Sequence, residues 1–490
     1  MTRTSIVAPP VSVPVRQSTA RESTRRTRPT AILSIILAGY FMVILDNSIV
    51  ITGLPHIEDE LGLSADSVTW VQNAYLLTFG GLLLLGARAG DILGRRRTFV
   101  LGLVLFTLAS VVVGAAPTGG WLIAARAVQG AGAAVLAPST LALLTATFSE
   151  GPSRVRATSA YGAVAGVGAS VGLVAGGLLA DLVSWRAGFM INLPIGVVML
   201  VAGLRLLPET NRTPGRFDIP GALLATLGPA LLVYGFVTAG ESGWASPETL
   251  GTLSLGVVAL GALVAVERSA IEPVLPLSLF ADRERVGAYL SRGLFIGAMM
   301  CFFLFTSQYL QDARGFSALA AGCAFFPMTV VNFAVALAVP RFQRKFSGPA
   351  LLVAGLMLAA AGLAWLGLVH DTTAYATGIA APMVLIGAGQ GLAFGPMTSS
   401  GIVRVAPAQA GAASGTVNSV HQLGGALGMS LVLAVSSTYP AAMTAGAVLL
   451  TAALISAAGL VLPASRRPIS TGRVSAAGYQ QCLPHPADRS

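Results

Sequence analysis

Apolar residues dominate this chain in long continuous stretches, each closed by a short polar segment. Fourteen such stretches are expected, at 31–54, 70–89, 98–116, 121–144, 158–180, 187–207, 219–239, 248–267, 286–308, 317–340, 349–369, 377–398, 411–436 and 440–462. A stretch of about 20 residues rises roughly 30 Å as a helix, the thickness of a bilayer's hydrocarbon. The runs are continuous rather than alternating, which excludes a membrane β-barrel. The pattern therefore predicts an all-α membrane protein of fourteen transmembrane helices.

The polar segments between the runs carry a strong charge asymmetry. Every second connection is basic: Arg95–Arg97, Arg154 and Arg156, Arg212 and Arg216, Arg268 with Arg283 and Arg285, Arg341 through Lys345, Arg404, and Arg466 with Arg467. The alternate connections hold only Arg186 and Arg314. Short Arg-rich loops stay on the cytoplasmic side, so both termini are expected there. Residues 1–29, with six arginines, one glutamate and Pro9, Pro10 and Pro14, read as a disordered cytoplasmic tail, and so does 464–490. The prolines oppose the amphipathic helix of an organellar transit peptide, and the first apolar run is too long for a cleaved signal.

Composition agrees with the pattern: 54% hydrophobic and 10% charged residues, with a mean hydropathy of +0.76. A soluble globule carries about 25% charged residues. The net charge of +10 belongs to the helix ends and gives no nucleic-acid surface. Cys301 and Cys323 fall in apolar runs and Cys482 in the tail, so neither a disulfide framework nor a metal site is expected. The four histidines (His56, His370, His421 and His485) are scattered, which argues against a membrane-embedded enzyme. There is no phosphate-binding Gly-rich loop for ATP, and no cofactor is expected.

The order of the stretches contains a repeat. The charged segment Arg341–Lys345 matches the one between the second and third stretches, and IGAGQGLAFGP, ending at Pro396, echoes QGAGAAVLAP, ending at Pro138. Two halves of six helices, 30–207 and 285–463, flanking a central site form a transporter architecture. Helices 7 and 8, within 208–284, are left over as an inserted pair.

Within the apolar runs, charges are rare and functional by default. Asp46 lies about 12 Å below the outer end of the first stretch, taking 1.5 Å per residue. Arg126, about five residues below Trp121, shares that depth and is its natural partner; Gln129, three residues on, lies on the same helical face. Asn47, Gln72, Asn73, Asn332, Gln390, Asn418, His421 and Gln422 are further polar positions inside apolar runs and form the candidate substrate cavity. Each alone is also a sufficient interhelical hydrogen-bonding group. His421, the one histidine within a stretch, is a second candidate for proton handling.

Several segments resemble a known family. LGARAGDILGRRR (85–97) is similar to the signature loop of the major facilitator superfamily, carried here by Gly90, Asp91, Gly94, Arg95 and Arg96; Ala87 and Ile92 depart from the usual pattern. LDNSIVITGLP (45–55) and WVQNAYLL (70–77) resemble motifs of its fourteen-helix drug:proton antiporters, with Ile51 in place of an Asn. Arg126–Gly130 resembles the Arg-x-x-Gln-Gly motif of proton-coupled members. The glycines at 168, 172, 176 and 177 resemble the antiporter helix-packing motif, with Leu173 where that motif has Pro. Trp185–Pro194 and Phe217-Asp218 are similar to the same family.

The resemblance implies a major facilitator fold of two six-helix bundles plus two inserted helices. It also implies a proton-coupled exporter of amphipathic drugs, antibiotics or toxic compounds at a bacterial inner membrane; a monomer is expected. Asp46 would alternate between protonation and pairing with Arg126, and the 90–96 loop would serve the conformational switch. A narrow exporter of one endogenous metabolite fits the same motifs.

Overall fold

A computed structural model describes residues 29–465, apart from 149–151, 210, 211, 213, 214, 371, 372, 407, 408 and 437. The tails expected at 1–29 and 464–490 lie, except at their innermost residues, outside the described residues.

The described chain is helical. The first half comprises α1 (Pro29–Leu61), α2 (Ala65–Leu93), α3 (Arg95–Gly114), α4 (Gly119–Thr147), α5 (Pro152–Leu182), and the short α6 (Trp185–Met190) continued by α7 (Asn192–Leu206). The inserted pair is α8 (Ile219–Ser242) and α9 (Pro247–Ser269). The second half comprises α10 (Arg283–Gln308), α11 (Ala318–Ala324) with α12 (Phe326–Phe342), α13 (Gly348–Leu366), α14 (Ala381–Gly401), α15 (Ala410–Val435) and α16 (Tyr439–Ser456). Thirteen spans among the described residues are long and apolar enough to cross a membrane. The remaining expected span is α15, which at 26 residues has the length but carries Asn418, His421, Gln422 and many small residues.

Sequence chemistry sets the helix ends. Ser64, Thr118, Ser246, Ser317, Ser347 and Thr438 each accept a backbone N–H of their helix's first turn, satisfying a donor that has no intrahelical partner. Gly94 separates α2 from α3 at φ +99, a conformation that other residues adopt only under strain. The tenth stretch, expected as one continuous helix over 317–340, is interrupted at Phe325 between α11 and α12.

The arginine-rich loops gather at one end of the bundle, called here the basic end, and the other is the far end. At the far end the halves are tied together. The Asp181 carboxylate, closing α5, accepts the Ala318 and Leu319 amides at 3.0 and 2.8 Å and so caps α11. Ser307 donates to the Ile51 carbonyl at 3.3 Å. Below these ties α5 runs against α11 but barely meets α12, so the halves part toward the basic end along that side. On the opposite side α2 and α15 stay packed, with Asn73 donating to Ser430 at 2.7 Å. The inserted α8 lies along this α2–α15 seam, and α9 packs on α8.

Four glycines of α5 lie against neighbouring elements. A Cβ on Gly172 would stand 2.5 Å from the Ser48 Cβ, and one on Gly176 would stand 2.5 Å from the Ile49 carbonyl oxygen. Gly168 faces Phe41 and Ile44, so these three seat α5 on α1, whereas Gly177 faces the Ala318 backbone of the other half. Leu173, at the position of the motif's proline, is buried, and its carbonyl accepts the Thr52 hydroxyl at 3.1 Å.

Candidate functional site

Asp46 and Arg126 meet as an ion pair with neither side chain exposed. Arg126 Nη1 donates to Asp46 Oδ2 at 2.7 Å. The expected depth was too shallow: α1 does not stop near residue 54 but continues through Pro55 to Leu61. Asp46 thus lies 15 residues, roughly 22 Å, from the helix's far end.

Three more elements build the pair's surroundings. Gln129 Nε2 donates to Asp46 Oδ1 at 2.7 Å, and its Oε1 accepts from Arg126 Nη1 at 2.8 Å. Asn192 Nδ2 donates to the same Asp46 Oδ1 at 2.8 Å. The Ser110 hydroxyl accepts from both amides, at 2.7 and 3.2 Å. Arg126 Nε reaches the Val71 carbonyl at 3.1 Å, and the Tyr75 ring lies under the guanidinium with its centroid 4.2 Å away. Every partner of the Asp46 carboxylate is a donor, so both of its oxygens are hydrogen-bonded as acceptors.

Local sequence explains why these side chains converge. Arg126 and Gln129 project from one face of α4. Gly130 lets that face press against α2, because a Cβ there would collide with the Tyr75 carbonyl. The break at Ile191, between α6 and α7, turns Asn192 inward.

The remaining candidates divide into groups. Asn47 and Gln72 border the ion pair: Gln72 Nε2 donates to Asn47 Oδ1, and Gln72 Oε1 lies 3.5 Å from Arg126 Nη2. Asn73 crosses to the second half. Gln390 and His421 are half-buried on α14 and α15, and Gln390 Oε1 and His421 Nδ1 have no hydrogen-bond partner. Gln422 packs against Gly80 at the α2–α15 seam. Asn332 lies on α12, its carbonyl against Gly391. Asn418 is exposed and turns back to the Ser414 carbonyl of its own helix. The polar positions thus form a cluster around Asp46 and a separate group in the second half, rather than one ring.

In the 90–96 loop Asp91 is exposed in the last turn of α2, and no ion pair of it occurs among the described residues. A carboxylate in water gains little from a nearby arginine. Arg95 instead donates to the Ala142 carbonyl of α4 at 2.9 Å, and Arg96 to the Leu204 carbonyl of α7. Both help close the basic end of their helices.

A protein-family model described as Major Facilitator Superfamily matches residues 36–429. The chain belongs to the major facilitator superfamily. It is a multi-pass membrane transporter, not an enzyme. Among its relatives, the puromycin resistance protein pur8 of Streptomyces alboniger is 43% identical over 84% of this chain and 83% of its own length. The cephamycin export protein CmcT of Amycolatopsis lactamdurans is 39% identical over 87% and 89% respectively. The crystal structure of the peptide transporter POT shares the fold, with a TM-score of 0.66 at 14% identity over 89% of this chain and 95% of that one.

Two side chains of the Asp46 cluster escaped the sequence reading as site residues, Ser110 and Asn192. The available signal for Asn192 was its depth, six residues past Arg186 in an apolar run. Arg292 of α10 was also missed. It is buried, at 4% exposure, inside the span.

Proposed function

We propose that this protein exports amphipathic antibiotic-like compounds from a bacterial cytoplasm in exchange for protons, as a single chain in the inner membrane with both termini inside. The observation that carries this reading is the Asp46–Arg126 pair, closed off from solvent with each of its oxygens satisfied by donors. A fixed, permanent pair at that depth would serve only packing. A pair that opens when Asp46 takes a proton links the protonation state to the arrangement of α1, α4 and α7. The relatives named for resistance to or export of antibiotics support the export direction and the substrate class. The basic end, rich in arginine, is then cytoplasmic, and the halves part toward that side to admit substrate.

In the cycle, substrate enters from the cytoplasm while Asp46 is paired. After the halves reopen outward, a proton from outside neutralises Asp46 and loosens its hold on Arg126, Gln129 and Asn192. Return to the inward form releases that proton to the cytoplasm. The six-helix halves, 30–207 and 285–463, are the bodies that move, with 208–284 as the inserted segment.

The test uses everted membrane vesicles acidified inside, with puromycin, a cephamycin and ethidium as probes. Wild type should accumulate at least one probe and lose it on uncoupling. Asp46→Asn should bind the same probe yet fail to concentrate it, because the amide mimics the protonated acid. Uncoupler-sensitive accumulation by Asp46→Asn would place coupling elsewhere. Accumulation of one probe alone favours a narrow exporter, as the relatives named for single antibiotics suggest.

A further inference from the structure

The second half holds a buried cation that the exchange mechanism does not use. Arg292 lies nine residues into α10, roughly 14 Å from the helix's basic end. Its Nη1 donates to the Thr398 hydroxyl of α14 at 2.7 Å, and the Phe394 ring covers the guanidinium with its centroid 4.2 Å away. Arg292 Nε is buried without a hydrogen-bond partner. The other buried arginines differ. Arg126 has an acid and three further acceptors, and Arg285 donates to the Leu279, Val403, Arg404 and Ser278 carbonyls.

Among the described residues no carboxylate pairs with Arg292. From Arg285 to Ser465 the sequence has only two acids, Asp312, which falls at the far end, and Asp371. The embedded acid of the first half, Asp46, is already held by Arg126. What does surround Arg292 is unsatisfied or aromatic. His421, whose Nδ1 lacks a partner, stands edge-on to Phe394 with ring centroids 5.9 Å apart. Gln390, one turn above Phe394 on α14, has its Oε1 unpartnered. Tyr40 of α1, from the other half, lies within electrostatic reach of Arg292 and stacks on Tyr161 of α5 at 3.9 Å. These groups share one level, between α1 and α5 of one half and α10, α14 and α15 of the other.

A guanidinium has five N–H donors and no acceptor, and embedding one without a counter-charge is costly. The geometry points to an anionic group of the transported compound, a carboxylate or phosphate-like oxyanion, as the missing partner of Arg292, with its apolar body against Phe394 and Tyr40. This rests on the export reading above and deepens it by naming the chemical class that the second half recognises. An oxyanion there would take the Nε and Nη donors as a fork. An anionic lipid headgroup carries the same chemistry, so the test separates the two.

Purified protein is reconstituted in proteoliposomes with an imposed pH gradient, and initial rates are measured for carboxyfluorescein, its methyl ester, in which the carboxylate charge is removed, and the cation ethidium. Arg292→Gln should raise KM for carboxyfluorescein at least tenfold and lower the anion-to-cation ratio of kcat/KM by a similar factor. Arg292→Lys should recover most of that ratio, since it restores the charge. An equal loss for all three dyes in Arg292→Gln, unrelieved in Arg292→Lys, assigns Arg292 a packing role and overturns the inference. Selective loss seen in liposomes containing phosphatidylglycerol but absent in pure phosphatidylcholine makes the headgroup the occupant, and the substrate assignment falls. Wild type that carries ethidium but discriminates neither carboxyfluorescein from its ester nor responds to Arg292→Gln refutes the anion site while leaving export standing. Wild type that carries no dye of any charge fails the export reading itself.

Discussion

Arg126 and Asp46 each lose their only counter-ion if the other is removed, because both are wholly buried. Stranding one charge of such a pair costs about 3–5 kcal/mol, whereas replacing both partners is far milder. Arg126→Ala should therefore lower the melting temperature of detergent-purified protein, and adding Asp46→Asn should restore most of the loss. A double variant as unstable as the sum of the two single effects would show that the residues do not act as a pair. The pair was legible in the sequence because an acid and an arginine inside apolar runs are each conspicuous and had only one another to meet. Asn192 was not, since an uncharged amide beside Pro194 carries no comparable signal, and only the helix break at Ile191 turns it toward Asp46. Arg292 follows Arg283 and Arg285 so closely that the three read as one basic helix entrance. Only the packing of α10 against α14 separates an interfacial arginine from a buried one.

Among the elements, α5 carries the closure of the far end. Its glycines let it lie on α1, and its last turn delivers Asp181 to the first amides of α11. A carboxylate capping a helix N-terminus contributes about 0.5–2 kcal/mol relative to a residue that cannot cap. Asp181→Ala should accordingly shift the equilibrium away from the form closed at the far end by roughly two- to thirty-fold, by the conversion of 1.4 kcal/mol to a factor of ten. Distances between spin labels at Val183 and Phe316, in a variant without the native cysteines, report that shift as a longer population. An unchanged distribution would mean that apolar packing alone closes this end. The sequence showed the small-residue spacing of α5 and thus its close approach to a neighbour. It did not show which glycine faces the other half, because Gly176 and Gly177 are adjacent in sequence and only the angle between helices sends Gly177 toward Ala318.

At the scale of the whole molecule, the inserted pair is joined to the first half as well as laid along the α2–α15 seam. Glu272, in the connection after α9, accepts from Arg88 of α2 at 2.6 Å and from the backbone N–H of Arg216, in the connection before α8, at 2.6 Å. One carboxylate therefore gathers the entry and exit of the pair onto the end of α2. The run lengths of α8 and α9 were legible in sequence, but a contact spanning residues 88, 216 and 272 was not, since nothing local links those positions. The Arg216 N–H and the Arg88 guanidinium hold the Glu272 carboxyl below its usual range. A lowered folded-state pKa contributes stability that is fully present above the unfolded value, about 4.3 for Glu, and lost as pH falls through the folded value. Wild type should therefore melt above Glu272→Gln by a constant margin from pH 8 to about pH 5, and the margin should close only in more acid solution. High salt should narrow it, because the tie is only half-buried. A margin that closes between pH 7 and pH 6 would assign the tie's pH response to another group and detach the inserted pair's anchoring from Glu272.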